Sequence, residues 1–293
     1  MLLTKSILSR AAMAALAILI TREASAVVQI PDQYKTGGFA IGCQAYSFNH
    51  YTVLEAIDKT AEAGGKVIEF YPGQKLMAGT NLVWNENASE ETIALVKAKL
   101  KATGIMAVNY GVVGIPKNLE SARKVFEFAK KLGLRGITTE DVGSIDTIEQ
   151  LVKEYDIMVG FHDHPKQENN PGYRMWDPNY ILSVVQDRDP RIGSCADVGH
   201  WVRSGLKPVE CLRILKGRII SSHLKDLNEF GKESAHDVAF GLGVSGITEI
   251  LDELKAQNFQ GNISIEFEYH WTTSVPEIKQ SIDFVRDYGK AHP

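Results

Sequence analysis

The stretch I-G-S-C-A-D-V-G-H, Ile192–His200, and its echo I-I-S-S-H-L-K-D, Ile219–Asp226, decide how this chain is read. Each is a short apolar run that stops abruptly in side chains able to bind ions or move protons. The first stops in Asp197 and His200, the second in His223, Lys225 and Asp226. Such residues have no use along a buried strand, but at its end they are held rigidly at a surface. Two more runs follow the plan: Ile157–Phe161 ends in His162-Asp163-His164, and Asn262–Ile265 ends in Glu266-Phe267-Glu268. Donors that stand far apart in sequence, all at strand ends, point to one shared site.

Working outward, the pattern is a strict alternation. The strands expected are 39–46, 66–70, 105–110, 135–139, 157–161, 192–196, 218–224 and 262–267. Between them lie amphipathic helices. Tyr51–Ala63 is stopped by Gly64-Gly65; a helix capped by Ser89 runs through Thr103; Asn118 caps Leu119–Leu132. Asp146-x-x-Glu149 reads as a capping box for a helix to Tyr155, and Asp177-Pro178 and Lys207-Pro208 as helix starts with Pro at the first position. Helices over 247–256 and from Val275 to Tyr288 complete the set, after a long loop over 226–246. Short, β-branched strands alternating with helices predict a parallel sheet with right-handed crossovers. Eight such units over about 250 residues predict a single-domain (β/α)8 TIM barrel. An open doubly wound sheet would carry a Gly-rich turn after its first strand, and Ala45-Tyr46-Ser47-Phe48 is not one.

In such a barrel the site lies where the strands end. Those ends read Glu69, Glu140, His162 and His164, Asp197 and His200, His223 and Lys225, and Glu266 and Glu268. Strand alternation puts His162 and His164 on one face, and likewise His223 with Lys225 and Glu266 with Glu268. Mixed carboxylate and imidazole donors suit a divalent ion, Mn²⁺ or Zn²⁺ ahead of Co²⁺ or Mg²⁺, and Ca²⁺ less well. Plainer roles stand beside these. Asp197 can cap the segment that follows it, Lys225 can pair with Asp226, and Glu69 with a rim cation. Trp201, Tyr269 and Trp271 can pack the rim or stack on a sugar.

The pieces D-V-G-H-W with V-R-S-G, H-L-K-D and I-E-F-E-Y carry a resemblance to the xylose isomerase-like TIM-barrel superfamily of sugar phosphate isomerases and epimerases, over about Phe39 to Tyr288. The resemblance implies a metal on Asp197, His223 and Glu266 with Glu140 or His162 as the further partner, and leaves His164, His200, Lys225 and Glu268 as the acid/base or polarising candidates. It departs at His162, where epimerases of the family place a Glu of their proton shuttle. It implies an enzyme acting on a carbohydrate through an enediolate, as an isomerase or epimerase, with substrate-side residues Glu69, Trp201, Arg203, Tyr269 and Trp271. The alternatives are a lyase or hydratase that eliminates from a 3-keto-glycoside and a non-catalytic carbohydrate-binding barrel. The family's endonucleases are a poor match, because they need a basic DNA face.

Composition agrees. The 293 residues are 44% hydrophobic and 23% charged, ordinary for a globular chain. The first 26 residues read as a secretory signal peptide: Lys5 and Arg10, an apolar run Ala11–Ile20, and Ala24-Ser25-Ala26 before the cut. Ten apolar residues are too few to span a bilayer, so no membrane attachment is expected after cleavage. Residues 27–38 form a lead-in and 39–293 the barrel domain. The net charge of −4 includes a leader with Lys5, Arg10, Arg22 and Glu23, a net +2, so the mature chain carries −6. That argues against nucleic acid. Cys43, Cys195 and Cys211, an odd number, do not make a disulfide framework. A secreted or periplasmic location favours a free or oxidised sugar over a sugar phosphate. A homodimer is compatible with all of this.

Overall fold

The computed structural model describes residues 27–292; the signal-peptide reading lies outside them. Strands β1 (Ala40–Gln44), β2 (Val67–Phe70), β3 (Met106–Tyr110), β4 (Gly136–Thr139), β5 (Met158–His162), β6 (Ile192–Asp197) and β7 (Ile219–Leu224) follow one another in parallel. A two-stranded antiparallel insert, β8 (Asp226–Leu227) with β9 (Asp237–Val238), precedes the last barrel strand, β10 (Asn262–Ile265). The strands β1–β7 and β10 close into one barrel, with β10 pairing both β1 and β7. This is the (β/α)8 barrel that the alternation predicts.

The outer helices are α1 (Val53–Glu62), α2 (Glu90–Thr103), α3 (Leu119–Leu132), α4 (Ile145–Tyr155), α5 (Pro178–Val185), α6 (Val198–Arg203), α7 (Pro208–Ile214), α8 (Ile247–Ala256) and α9 (Val275–Ala291). Their apolar stripes face the strands; in α3 these are Ala122, Val125, Phe126, Ala129 and Leu132. The lead-in seals the barrel's N-terminal end. Ile30 packs with Ala40, Val67 and Val108, and Arg135 donates to the Val28 carbonyl at 3.1 Å.

Three local features differ from the sequence expectation. The capping box is not at Asp146 and Glu149. A 3-10 turn, Val142–Ser144, runs straight into α4, so the chain is already turning at Asp146. Both carboxylates instead accept from Arg188, at 2.7 and 3.0 Å. The capping box the fold uses is Thr52 with Glu55, opening α1. Second, α6 follows β6 without a loop, and a six-residue helix is too short for periodicity to reveal. Third, the first and last barrel strands stop early. Gln44 accepts from Tyr46 N–H at 2.9 Å and donates to the Gly111 carbonyl at 2.8 Å, ending β1. Ser47 donates to the Ile265 carbonyl at 3.1 Å and accepts from Phe267 N–H at 2.8 Å. These bonds satisfy the backbone where β10 leaves the sheet, and they free Glu266–Glu268 to line the mouth.

Candidate metal centre and active site

Four donors converge where β5, β6, β7 and β10 end. His162, Asp197, His223 and Glu266 each place one ligand atom within 4.8 Å of the others. Register produces the arrangement. Asp197 is directly opposite His223, and His223 is opposite Ser264, two residues before Glu266. His162 Nε2 is 3.6 Å from Asp197 Oδ2, and His223 Nδ1 is 3.8 Å from that oxygen and 3.2 Å from Glu266 Oε2. Neighbouring ligands of one ion at bonds of about 2.1 Å stand roughly 3.0–3.4 Å apart, so the spacing is close to that of a ligand set.

The hydrogen bonding makes the same case. His162 Nε2, Asp197 Oδ2 and both ring nitrogens of His223 are buried without a hydrogen-bond partner, and Asp197 Oδ2 has the Lys225 ammonium at 2.9 Å as an ion-pair partner. Orphans of this kind are rare in a folded interior, and three facing one point require an explanation. A divalent cation answers all three at once, and two nitrogens with two oxygens suit Mn²⁺, Zn²⁺ or Co²⁺.

Glu140 stands outside this group. Its Oε1 lies 3.4 Å from His162 Nδ1 and also bonds His164 Nδ1, and Tyr173 donates to its Oε2 at 3.3 Å. Of the two alternatives, His162 is the one whose ligand atom lies with those of Asp197, His223 and Glu266, while Glu140 groups with His162 and His164. Glu69 and Trp201 are corrected as well. Neither is open to a substrate: Glu69 is fully buried below His223, and Trp201 packs in the hydrophobic core.

Electrostatics set the charge of these donors. Burial opposes a charge on His162, but Asp197 and Glu140 outweigh it and lift its pKa to about 10. His223 is raised too, against burial, by its Cys195, Glu69 and Glu266 neighbours. Asp197 and Glu266 resist burial and stay well below the usual carboxylate range, held there by His200 and Lys225 and by Lys225 and His223 respectively. At neutral pH an incoming ion must therefore displace a proton from His162. Affinity for the ion is expected to rise with pH up to about 10, because His162 binds its proton below that value. Calorimetry at pH 7 in buffers of different ionisation heat should show proton release on Mn²⁺ binding; a binding heat independent of buffer would contradict the assignment.

Lys225 reaches the centre from the residue just past β7, two positions after His223. Its stem passes under Gly199, where any Cβ would come within 2.7 Å of it. Its Nζ stands 2.9 Å from Asp197, 2.8 Å from Glu266 and 2.9 Å from Glu268. Despite complete burial, these carboxylates hold the ammonium charged, so Lys225 is a fixed cation and not a base. Arg203 donates to the same Glu268 oxygen at 3.0 Å and to the Ala235 carbonyl at 3.1 Å, and pairs with Asp237 at 3.4 Å. It braces the β8–β9 insert against Glu268 and has little left for a substrate. Asp197 is also the N-cap of α6, accepting from His200 N–H at 2.9 Å, so its plain and functional roles coexist. Burial pushes the His200 imidazole well below its usual range although Asp197 Oδ2, 3.6 Å from its Nε2, pulls the other way.

A cavity of about 280 Å³ opens above the donors. Its polar wall is Gln44, His162, His164, Glu266 and Glu268; the other is Tyr46, Tyr71, Pro72 and Val112. His164 is half exposed there and backed by Glu140, an imidazole–carboxylate dyad facing solvent. Tyr46 packs edge-on against Tyr71 at 5.2 Å and against Trp271 at 5.9 Å. Trp271 is thus on the lip of the mouth. Tyr269 stacks on His236 at 4.3 Å and is partly exposed. Tyr46, Tyr71 and Tyr173 were not singled out in the sequence. The first two stand just past the ends of β1 and β2, so the strand-end rule reaches them; Tyr173 sits in a loop with no such signal. A cavity of about 310 Å³ at the opposite end of the barrel, lined by Gly37, Phe39, Lys255 and Phe259, holds none of these donors.

Comparison with known proteins bears on the same chain. Residues 57–288 match the family model described as xylose isomerase-like TIM barrel. A solved structure of an uncharacterised protein from Parabacteroides distasonis is similar at 32% identity, over 85% of this chain and 99% of that one, with TM-score 0.68. A D-allulose 3-epimerase from Methylomonas sp. shares the fold at 15% identity, over 90% of this chain and 100% of its own, with TM-score 0.66. So does a Bacillus anthracis protein ascribed a 3-DHS dehydratase role in petrobactin synthesis, at 15% identity, over 83% and 97%, with TM-score 0.57. No curated protein sequence matches the chain.

Proposed function

Because the chain belongs to the xylose isomerase-like TIM-barrel family, we propose that it is a divalent-metal-dependent sugar isomerase or epimerase acting on a free or oxidised sugar. The observation that carries the reading is the set of orphaned donors, His162 Nε2, Asp197 Oδ2 and His223 Nδ1, beneath a cavity with one solvent-facing acid–base dyad. A divalent ion held by His162, Asp197, His223 and Glu266 supplies Lewis-acid polarisation of a carbonyl and its neighbouring hydroxyl. His164 then removes the proton from the adjacent carbon, with Glu140 orienting its ring and stabilising the imidazolium. Lys225 opposes the negative charge that develops on the substrate as its enediolate forms. Tyr46, Tyr71 and Trp271 supply an apolar wall on which the C–H face of a sugar stacks. A single dyad favours delivery of the proton, on the face it left, to the neighbouring carbon of the enediolate, which is isomerisation; inversion at one carbon needs a second group. Glu268, held by both Lys225 and Arg203, is poorly placed to be a base.

Elimination from a 3-keto-glycoside is the second reading, favoured by the same feature. His162 stands where epimerases of the family carry a Glu, and His164 can return its proton to a leaving oxygen. The test is incubation of the Mn²⁺-loaded protein in deuterated water with free ketoses and with a 3-keto-glycoside, followed by NMR. Expected are deuterium at the carbon beside the carbonyl and a shifted carbonyl or inverted centre. Aglycone release with a new enone supports the lyase instead, and no exchange with any sugar overturns both. The proposal includes export, with a mature N-terminus at Val27. No described helix is long and apolar enough to cross a membrane.

A further inference from the structure

Glu69 is a carboxylate sealed inside the barrel, with no exposed surface. It leaves β2 at a register irregularity between Ile68 and Glu69, which re-aims the side chain across the barrel interior. Thr138 on β4 donates to its Oε1 at 2.8 Å, and Ser264 on β10 donates to its Oε2 at 2.9 Å. That Oε2 is also 3.2 Å from His223 Nε2, an ion-pair contact that falls outside hydrogen-bond geometry in the metal-free protein. Among the described residues, His223 is the only side chain able to carry positive charge that stands at ion-pair distance from Glu69. Removing a carboxylate from water costs several kcal/mol unless a partner compensates. The two hydroxyls compensate in part, and they also fix the direction of the group.

The direction matters because of the ring it faces. An imidazole binds an ion through a nitrogen without a proton, and the proton must then reside on the other nitrogen. His223 Nδ1 faces Glu266 and Asp197, and Nε2 faces Glu69. We propose that Glu69 is the positioning residue of His223: it takes the Nε2 proton as acceptor and so keeps the Nδ1 lone pair directed at the ion. The inference rests on the metal reading of the site. It gives the centre two carboxylate–imidazole pairs of opposite access. Glu140 behind His162 is at the rim, and Glu69 behind His223 is shut away from solvent and substrate.

Mn²⁺ titrated by calorimetry into wild type and Glu69→Gln tests it. The variant is expected to bind about 10–100-fold more weakly, the usual loss when an outer partner is removed. Fold damage alone would lower the melting temperature of the metal-free protein without altering the ring. The second readout is therefore ¹⁵N NMR of the histidines in Zn²⁺-loaded protein. Wild type is expected to show the His223 Nε2–H proton shifted downfield by its carboxylate acceptor, and Glu69→Gln to move that resonance upfield. If Glu69→Gln does not fold, Ser264→Ala removes one of the two hydroxyls that aim the carboxylate, and a smaller loss in the same direction is expected. A wild type that binds Mn²⁺ beside a variant that binds as tightly overturns the role of Glu69 alone. Weaker binding with the His223 signature intact also overturns it, assigning Glu69 to general stability. A wild type that takes up no ion overturns the metal reading and this role together.

Discussion

Asp197→Asn is expected to remove the bound ion and, with it, activity. The substitution keeps the shape of the side chain, and Oδ1 can still accept from His200 N–H, so the cap of α6 survives. What changes is Oδ2, the atom that faces His162 Nε2, His223 Nδ1 and Lys225 Nζ. An amide donor in its place points hydrogens at a position meant for a cation. The loss of metal affinity should exceed the roughly 10–100-fold that an outer partner contributes. Fold stability should fall by less than the roughly 3–5 kcal/mol of an orphaned buried charge, because Glu266 and Glu268 still flank Lys225. Elemental analysis should find about one equivalent of metal in wild type and little in the variant. A variant that keeps both its ion and its turnover would remove Asp197 from the centre.

Lys225→Met separates binding from catalysis. Methionine preserves the stem that packs beneath Gly199 and deletes the charge. If Lys225 acts as a fixed cation opposite the developing enediolate, kcat should fall about 10²–10³-fold, near 3–4 kcal/mol of transition-state stabilisation. The ion should remain, bound as tightly as in wild type or more so, since Asp197 and Glu266 lose a competing partner at 2.9 and 2.8 Å. Mn²⁺ calorimetry and steady-state kinetics on the same preparation give both numbers. Unchanged kcat would reduce Lys225 to a structural counter-ion, and loss of the ion with kcat would make it part of the metal shell.

The sequence by itself determined the barrel and the location of its chemistry. Strand period, helix starts at Ser89, Asn118 and Asp177, and stops at Gly104 and Gly133 are short-range properties, so they are readable without a fold. An apolar strand that breaks into Asp or His needs only neighbours in the chain to be recognised. In this way Asp197, His223, Glu266 and the His162/His164 pair were all legible. What only the tertiary structure decided is which donors share a point in space. Glu140 and His162 looked equivalent at the ends of adjacent strands, and only the fold puts His162 beside Asp197, His223 and Glu266 and leaves Glu140 with His162 and His164. Glu69 looked like a rim residue until barrel closure placed Thr138, Ser264 and His223 around it, from three other strands. Arg203 and Trp201 read as substrate contacts until a six-residue helix, too short to leave a periodic signal, turned one towards Glu268 and the other into the core. The physical reason is common to these cases. Periodicity and capping are set by residues a few positions apart, whereas the partner of a buried charge is set by register between strands distant in the chain.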